Sequence, residues 1–287
     1  MRIANLAGRL TLLEGALALD VERASAGRFT ADPQAAYLDW TAFTSWAAEV
    51  RVEGHARAAP FANRDLETPV PRPSQVFAIG LNYADHAAEA HLDVPDELVV
   101  FTKFASCLTG PDVDVQLSGD RVDWEAELVL VIGRGGRDIS VVDAWDHVAG
   151  LSVGQDLSDR TVQSRGKPAQ FSMGKSFAGY GPVGPAVVTL DELADSDIDA
   201  LSIRCEIVGA DGVTRVLQAG STRAMVFGVP DLLARLSAVV ELRPGDLIFT
   251  GTPAGVGLGR DPQEFLHAGQ TLTTSIEGLG AIRQRFA

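Results

Sequence analysis

Cysteine is scarce in this 287-residue chain, and long apolar runs are missing. Cys107 and Cys205 lie far apart without CxxC spacing, so neither a disulfide framework nor a thiolate zinc site is supported. Arg9, Glu14 and Asp20 interrupt the N-terminal segment, which therefore lacks the apolar region of a signal peptide. No later run approaches the length that crosses a bilayer. These absences predict a cytoplasmic protein with no membrane partner.

Positive charge is also in short supply. Lysine and arginine number 24 against 38 acidic residues, which gives a net charge of -14. This balance argues against nucleic acid or an anionic membrane as a partner. A small anionic substrate would need a site where the potential is locally reversed. The hydrophobic content of 46% suffices for one large core, with or without a small satellite domain.

The N-terminal part predicts a short hairpin followed by a helix. Two strand-like runs flank Glu14 and Gly15, and Asp32 can cap a helix that begins at Pro33. Alternating prolines within 69–73 then exclude regular helix or central strand. We therefore predict a small N-terminal α+β domain over 1–70 and a second domain over 71–287.

The second domain consists mainly of predicted strands. Short apolar runs separated by Gly, Pro and Asp turns recur throughout it, whereas helices are predicted only from Tyr83 to about His91 and from Val229 to Val240. Two helices are too few to cover both faces of a parallel sheet. The pattern predicts an α+β fold, a mixed or antiparallel β-roll with helices at its margin.

Two glutamates precede the most apolar of these strands. Side chains alternate along a strand, so Glu125 and Glu127 share one face while Trp124, Ala126 and Leu128 share the other. If water covers the acidic face, the pair has no special meaning, and this is the usual case. If the face is buried, each charge costs several kcal/mol unless a cation or donor network compensates it.

Asp156 ends another apolar strand and offers a third carboxylate. It could simply be a turn or cap residue. Together with Glu125 and Glu127, however, it would make an oxygen-rich site, and such ligands suit Mg²⁺ or Mn²⁺ rather than zinc.

His86 and Glu89 are three positions apart in a predicted helix and would be neighbours on its surface. A histidine base oriented by a carboxylate has this spacing. The same pair also occurs on ordinary solvated helix faces, and by itself the spacing favours that alternative.

Two further segments concern anion binding. Gly174, Lys175 and Ser176 suggest a phosphate loop, but Ala169 stands where the pattern needs glycine, which excludes it. Lys175 is either a cation for an anionic substrate or a surface lysine. Thr252 opens a glycine-rich loop whose N–H groups could bind a carboxylate, unless the loop is only a mobile hairpin connection.

From about Ser74 to the C-terminus the chain resembles the fumarylacetoacetate hydrolase family. The resemblance depends on several segments occurring in the family's order, and no single one would suffice. The segments are GLNYADHAAE, FTKFAS, DWEAELVLVIG, DLSDRTVQ, MGKSF, GPVGPAVVT and RPGDLIFTGTPAGVG. Leu81 and Asn82 stand where eukaryotic fumarylacetoacetases carry an extra acidic ligand, so the chain looks like the three-carboxylate bacterial type.

The resemblance implies a fold, a cofactor and a set of site residues. The fold would be a mixed β-roll or β-sandwich of the fumarylacetoacetase C-terminal type, commonly a homodimer, and Mg²⁺ or Mn²⁺ would be bound. The implied metal ligands are Glu125, Glu127 and Asp156, the implied catalytic residues are His86, Glu89 and Lys175, and the implied substrate-binding residues are Tyr83, Arg160, Gln163 and Thr252.

The resemblance also implies a reaction. Our first hypothesis is metal-dependent hydrolysis of a C–C bond in a 2,4-dioxo acid such as an acylpyruvate or fumarylpyruvate, with His86 activating water. The second is an oxaloacetate-type decarboxylase or an isomerase of an unsaturated 2-oxo diacid, since the family contains both. A non-catalytic cation-binding protein is the third, although metal binding alone would require neither His86 nor Glu89.

Overall fold

The computed structural model describes residues 1–89, 93–209 and 211–287, and its regular structure is mainly β. Seven helices accompany nineteen strands in the described residues. The strands are β1 Arg2–Leu6, β2 Arg9–Glu14, β3 Leu17–Asp20, β4 Ala59–Pro60, β5 Leu66–Glu67, β6 Val76–Gly80, β7 Val99–Thr102, β8 Leu108–Thr109, β9 Asp112–Val115, β10 Val122–Asp123, β11 Ala126–Ile132, β12 Val148–Gln155, β13 Ser158–Asp159, β14 Gly181–Val188, β15 Ser202–Val208, β16 Thr214–Ser221, β17 Leu247–Phe249, β18 Thr271–Ile276 and β19 Gly280–Phe286. The helices are α1 Val21–Ala24, α2 Ala35–Leu38, α3 Trp40–Ala47, α4 Ala84–Glu89, α5 Arg160–Gln163, α6 Phe171–Gly174 and α7 Val229–Val239.

The strands form two main sheets. The larger has the order β4-β3-β2-β1-β14-β12-β11-β17-β6-β7, with β5 beside β1 and β8 beside β14, and the smaller has the order β16-β15-β18-β19-β9. Most neighbours are antiparallel, but β6 and β17 are parallel, as are β9 and β19. The predicted α+β fold, a mixed sheet structure with few helices, is confirmed.

Strand β11 lies in the interior, and every residue of it is buried. Leu128 and Leu130 belong to the same apolar cluster as Ile203 of the smaller sheet, while Val129 belongs to the cluster that contains Phe43 of α3. Full burial of such side chains stabilises the fold by about 1.5–3 kcal/mol each. Packing on both faces fixes β11, and with it the acidic residues at its N-terminal end.

The N-terminal strands continue the larger sheet. The predicted hairpin is confirmed as β2 and β3, whereas β1 was not predicted and pairs with β14 of the C-terminal part. The predicted helix is divided into α2 and α3 at Asp39, and Asp32 accepts a hydrogen bond from the Gln34 N–H ahead of it (3.0 Å). The domain boundary near residue 70 stays a prediction, since the sheet itself is continuous.

The two predicted marginal helices are present. Helix α7 ends one residue earlier than predicted, and α4 covers Ala84–Glu89; its predicted continuation to His91 lies outside the described residues. None of the described helices combines the length and the apolarity that a membrane span requires. The cytoplasmic location stays a prediction.

We expect both cysteines to be unreactive in the native protein. Cys107 and Cys205 are free and buried, and burial raises the pKa of both thiols, that of Cys205 to about 12. The thiolate is the reactive form, and burial disfavours it at both positions. A thiol-specific reagent should modify neither cysteine in buffer and both in denaturant; rapid labelling of the native protein would contradict the burial.

Candidate metal centre and acid–base site

One cavity of about 640 Å³ gathers most of the predicted site residues. It opens beside the ends of β6, β11 and β17, and apolar side chains cover part of its wall. The charged and polar residues on the wall are His86, Glu89, Glu125, Glu127, Arg160, Gln163, Lys175, Thr252, Arg260, Asp261 and Gln263.

The three predicted metal ligands meet beside this cavity, which Glu125 and Glu127 line, whereas Asp156 is fully buried and is not on its described wall. Glu125 and Glu127 stand at the start of β11, Asp156 follows β12, and the Asp156 N–H donates to the Glu125 carbonyl (2.9 Å). One oxygen of each carboxylate lies within 4.8 Å of the others, and all three residues are buried. A solvated acidic face is therefore excluded, and the triad could hold a metal ion.

Lys175 lies between two of these carboxylates. Its ammonium donates to Glu125 Oε2 and to Asp156 Oδ2, at 2.5 Å each, and only 3% of the side chain is exposed. The alternative of a surface lysine is wrong. Burial alone would raise the pKa of Glu125, but Lys175 and Arg160 together lower it to about 2.

Arg160 is held by acidic neighbours rather than pointing freely into the cavity. Its guanidinium contacts Asp123 Oδ2 (2.7 Å) and Glu125 Oε1 (2.8 Å), and it also donates to Gln163 Oε1 (2.9 Å). Through these bonds Arg160 orients Gln163, which lies on the cavity wall. The predicted roles of both residues in substrate binding stay predictions.

Glu127 lacks a cationic partner among the described residues. Its Oε2 accepts a hydrogen bond from the Gly251 N–H (2.8 Å). Burial and the nearby charges of Asp156 and Glu125 raise the pKa of Glu127 well above its usual range. A divalent cation would relieve this repulsion, and three hard carboxylate oxygens with neither sulfur nor nitrogen fit Mg²⁺ or Mn²⁺.

His86 and Glu89 are neighbours on α4, as predicted, and both line the cavity. His86 Nδ1 lies 3.5 Å from Glu89 Oε2, and the two side chains are 13% and 19% exposed. Burial opposes ionisation of Glu89, but the hydrogen bonds from His86 and from the Gly255 N–H (3.0 Å) lower its pKa. The ordinary solvated helix face is excluded, because this dyad is docked and mostly buried.

The glycine-rich loop binds carboxylates of the protein itself. Gly257 and Leu258 donate their N–H groups to Asp123 (2.7 and 2.9 Å), just as Gly255 donates to Glu89. These donors were predicted to be available to a substrate carboxylate, and the structure gives them internal partners. The loop is therefore a docking element for the dyad and for Asp123.

Thr252 and Tyr83 were predicted to bind substrate, but their surroundings differ from that expectation. Thr252 lies on the cavity wall, but its hydroxyl donates to the Ala126 carbonyl (2.8 Å) and accepts from Gln218 (2.8 Å). Tyr83 is fully buried and does not belong to the described cavity wall. Its hydroxyl has no hydrogen-bond partner in the described residues, and burial raises its pKa. Direct contact between Tyr83 and a substrate is thus not supported.

Two residues of the charge network were not predicted as site residues. Asp123 holds Arg160 and the glycine-rich loop, and Lys103, in the FTKFAS segment, donates to Asp156 Oδ1 at 2.6 Å with its side chain fully buried. A lysine inside a mostly apolar segment was the available signal for Lys103. The spacing of nearby residues, however, contains no signal that Lys103 contacts Asp156.

We expect Gly259→Ala to reduce turnover by displacing Glu89. A Cβ at residue 259 would overlap Cγ and Cδ of the Glu89 side chain, which must then leave the Gly255 N–H. The expected loss in kcat is about tenfold, the lower range for removing a positioning partner. The melting temperature should fall little, because a side chain yields more easily than backbone. An unchanged kcat would show that the position of Glu89 is not critical.

Comparison with known proteins supports these observations. A model of the family described as fumarylacetoacetate (FAA) hydrolase C-terminal matches residues 75–287. Human "Oxaloacetate tautomerase FAHD2A, mitochondrial" is 44% identical over 216 residues, which are 75% of this chain and 67% of that protein. The chain belongs to the fumarylacetoacetate hydrolase family.

Solved structures extend the similarity over the whole chain. A crystal structure of a proposed HpcE protein from Mycobacterium smegmatis has a TM-score of 0.92 and 49% identity, covering 100% of this chain and 99% of that one. A 2-hydroxyhepta-2,4-diene-1,7-dioate isomerase from Mycobacterium marinum has a TM-score of 0.73 and 28% identity, covering 100% and 98%. The N-terminal strands thus belong to a shared architecture.

Proposed function

We propose that this protein is a metal-dependent isomerase of a small anionic 2-oxo acid, acting as a keto–enol tautomerase. The observation that carries the proposal is the position of the His86–Glu89 pair on the wall of the cavity that Glu125 and Glu127 of the carboxylate triad also line. The similarity to an oxaloacetate tautomerase and to a dienedioate isomerase supports proton transfer as the reaction type.

Glu125, Glu127 and Asp156 would hold Mg²⁺ or Mn²⁺ in this enzyme. The bound ion would supply a Lewis acid that withdraws electron density from the ketone of a 2-oxo acid. Lys175 is placed to add a second positive charge beside the same carboxylates. In a protein with a net charge of -14, this local reversal of potential is what an anionic substrate requires.

His86 is the proposed general base. Because Nδ1 lies beside Glu89, Nε2 remains as the nitrogen that can face a substrate. Nε2 would remove a proton from the carbon next to the ketone, and the electron pair of that C–H bond would move onto the ketone oxygen. Glu89 would stabilise the resulting imidazolium, and the same proton would return to oxygen or to carbon.

Hydrolytic C–C cleavage, the first hypothesis from the sequence, becomes the second candidate. The same Nε2 could activate a water for attack on a 2,4-dioxo acid, as first predicted. The cavity favours this candidate, since about 640 Å³ with Val99, Phe101 and Phe171 on its wall accepts a longer carbon chain than a four-carbon diacid has. Decarboxylation, the remaining alternative, requires no general base.

The test is a substrate panel with and without metal. Protein stripped of divalent ions and protein reloaded with Mg²⁺ or Mn²⁺ would be assayed with oxaloacetate, following the ultraviolet absorbance of the enol, CO₂ release and the products of added acylpyruvates. We expect metal-dependent loss of enol absorbance. Full activity in excess chelator would contradict the metal site, and acylpyruvate cleavage without tautomerase activity would favour the hydrolase.

A further inference from the structure

The positions of the lysines indicate that Lys103 has a specific role, and the proposed reaction does not account for it. The chain contains three lysines, and two of them, Lys103 and Lys175, are buried and contact the same carboxylate, that of Asp156. Lys167 is exposed. In a chain whose other basic residues are all arginines, two buried lysines around one aspartate indicate a specific requirement for a compact ammonium.

The ammonium of Lys103 is fully used by acceptors within the protein. It donates to Asp156 Oδ1 (2.6 Å), to the Tyr180 carbonyl (3.2 Å) and to the Lys175 carbonyl. These bonds account for all three of its N–H groups. Lys103 is not among the described residues of the cavity wall, so it acts on Asp156 and on the Lys175 backbone rather than on a substrate.

All three carboxylates of the triad share this arrangement. Lys103 holds Oδ1 of Asp156, Arg160 holds Oε1 of Glu125, and the Gly251 N–H holds Oε2 of Glu127. In each carboxylate one oxygen has its own donor from the surrounding protein. The other oxygens are Asp156 Oδ2 and Glu125 Oε2, which Lys175 contacts, and Glu127 Oε1.

We infer that Lys103 is a positioning residue that makes Asp156 a one-oxygen ligand and thereby makes the triad select Mg²⁺ or Mn²⁺ over Ca²⁺. The inference rests on the proposed metal site. Mg²⁺ requires six ligands in nearly ideal octahedral geometry, whereas Ca²⁺ takes six to eight and often binds both oxygens of a carboxylate. Three single-oxygen carboxylates and three remaining positions satisfy the smaller ion.

The experiment measures ion affinity without catalysis. Calorimetric titration of the metal-stripped protein would give the dissociation constants of Mg²⁺, Mn²⁺ and Ca²⁺ for the wild type and for Lys103→Met. In the variant, Oδ1 of Asp156 has no donor of its own while Lys175 still contacts Oδ2, so both oxygens can face the ion and Mg²⁺ should bind about 10- to 100-fold more weakly. Ca²⁺ should lose much less, and the preference for Mg²⁺ over Ca²⁺ should shrink by about tenfold or more.

Control variants separate positioning from charge and from folding. Lys167→Met removes one exposed lysine and should leave every affinity unchanged. If Lys103→Met does not fold, Arg160→Lys tests the same inference at Glu125. A compact ammonium cannot reproduce the planar fork in which the guanidinium holds Asp123 and Glu125 Oε1, so the preference should shrink there too.

Three results would overturn the inference. Equal losses of Mg²⁺ and Ca²⁺ affinity in Lys103→Met would reduce Lys103 to a structural residue. An unchanged preference in a folded Arg160→Lys variant would show that one-oxygen ligation is not what selects the ion. A wild type that binds no divalent ion would instead refute the proposed metal site itself, and the inference with it.

Discussion

Replacing His86 by asparagine is expected to slow tautomerisation of a 2-oxo acid by about 10²- to 10⁴-fold. The imidazole is the group on the cavity wall whose free nitrogen can accept a proton from carbon, and asparagine has no comparable basic nitrogen. Magnesium affinity should be unchanged, because His86 is not one of the three carboxylates of the triad. Stopped-flow measurement of enol absorbance, with calorimetry for the ion, would test both statements.

Glu89→Gln is the matched control for this prediction. Glutamine keeps the size of the side chain and can still accept from the Gly255 N–H, but it cannot stabilise an imidazolium by charge. The loss should therefore be smaller than for His86→Asn. Any metal-dependent decarboxylation should persist in both variants, since that reaction needs no base. Unchanged tautomerisation in His86→Asn would refute the dyad.

Glu127→Gln is expected to abolish metal binding without weakening the metal-free fold. Glu127 has a backbone N–H as its partner and is repelled by Asp156 and Glu125, which with burial raise its pKa. A neutral amide removes the repulsion and can still accept from Gly251. We expect the free energy of unfolding of the metal-free protein not to fall. Added Mg²⁺ should raise the melting temperature of the wild type but not of this variant.

Asp156→Asn, in contrast, should lower the free energy of unfolding of the metal-free protein. Asp156 is the partner of both Lys103 and Lys175, so its neutralisation leaves two buried ammonium groups poorly compensated. Breaking a buried pair in this way costs about 3–5 kcal/mol. Thermal and denaturant unfolding of the two variants in chelator would compare them. Equal destabilisation would contradict the charge arrangement described above.

The sequence predicted the parts of the site that depend on local spacing. Strand alternation placed Glu125 and Glu127 together, and helical spacing placed His86 beside Glu89; both arrangements follow from backbone geometry over a few residues. The choice between a buried and a solvated face could not be made from these patterns. Whether the face is buried depends on which distant residues pack over the segment. The family resemblance indicated a buried metal site, and the structure shows that the face is buried.

Other parts of the site could not be predicted because they join distant segments. Lys103 and Asp156 are 53 positions apart, and Arg160 and Asp123 are 37 apart. No periodicity encodes such pairs. The glycine-rich loop shows the same limit: its donors could be recognised from the sequence, but their partners Glu89 and Asp123 are set by tertiary packing. Similarly, β1 was missed because its neighbour β14 is far along the chain.

The pairing of β1 with β14 has a consequence for biosynthesis. Strand β1 comprises residues 2–6, whereas β14 ends at residue 188. At about 5–20 residues per second, roughly 10 to 40 s separate the emergence of the two strands from a ribosome. During that interval Asn5 and Leu6 on this edge of β1 can pair with β5, but Arg2 and Ile3, which later meet β14, have no partner there. An unpaired edge is a template for association with other chains. The larger sheet of this protein is therefore completed at its N-terminal strand only after β14 has been synthesised.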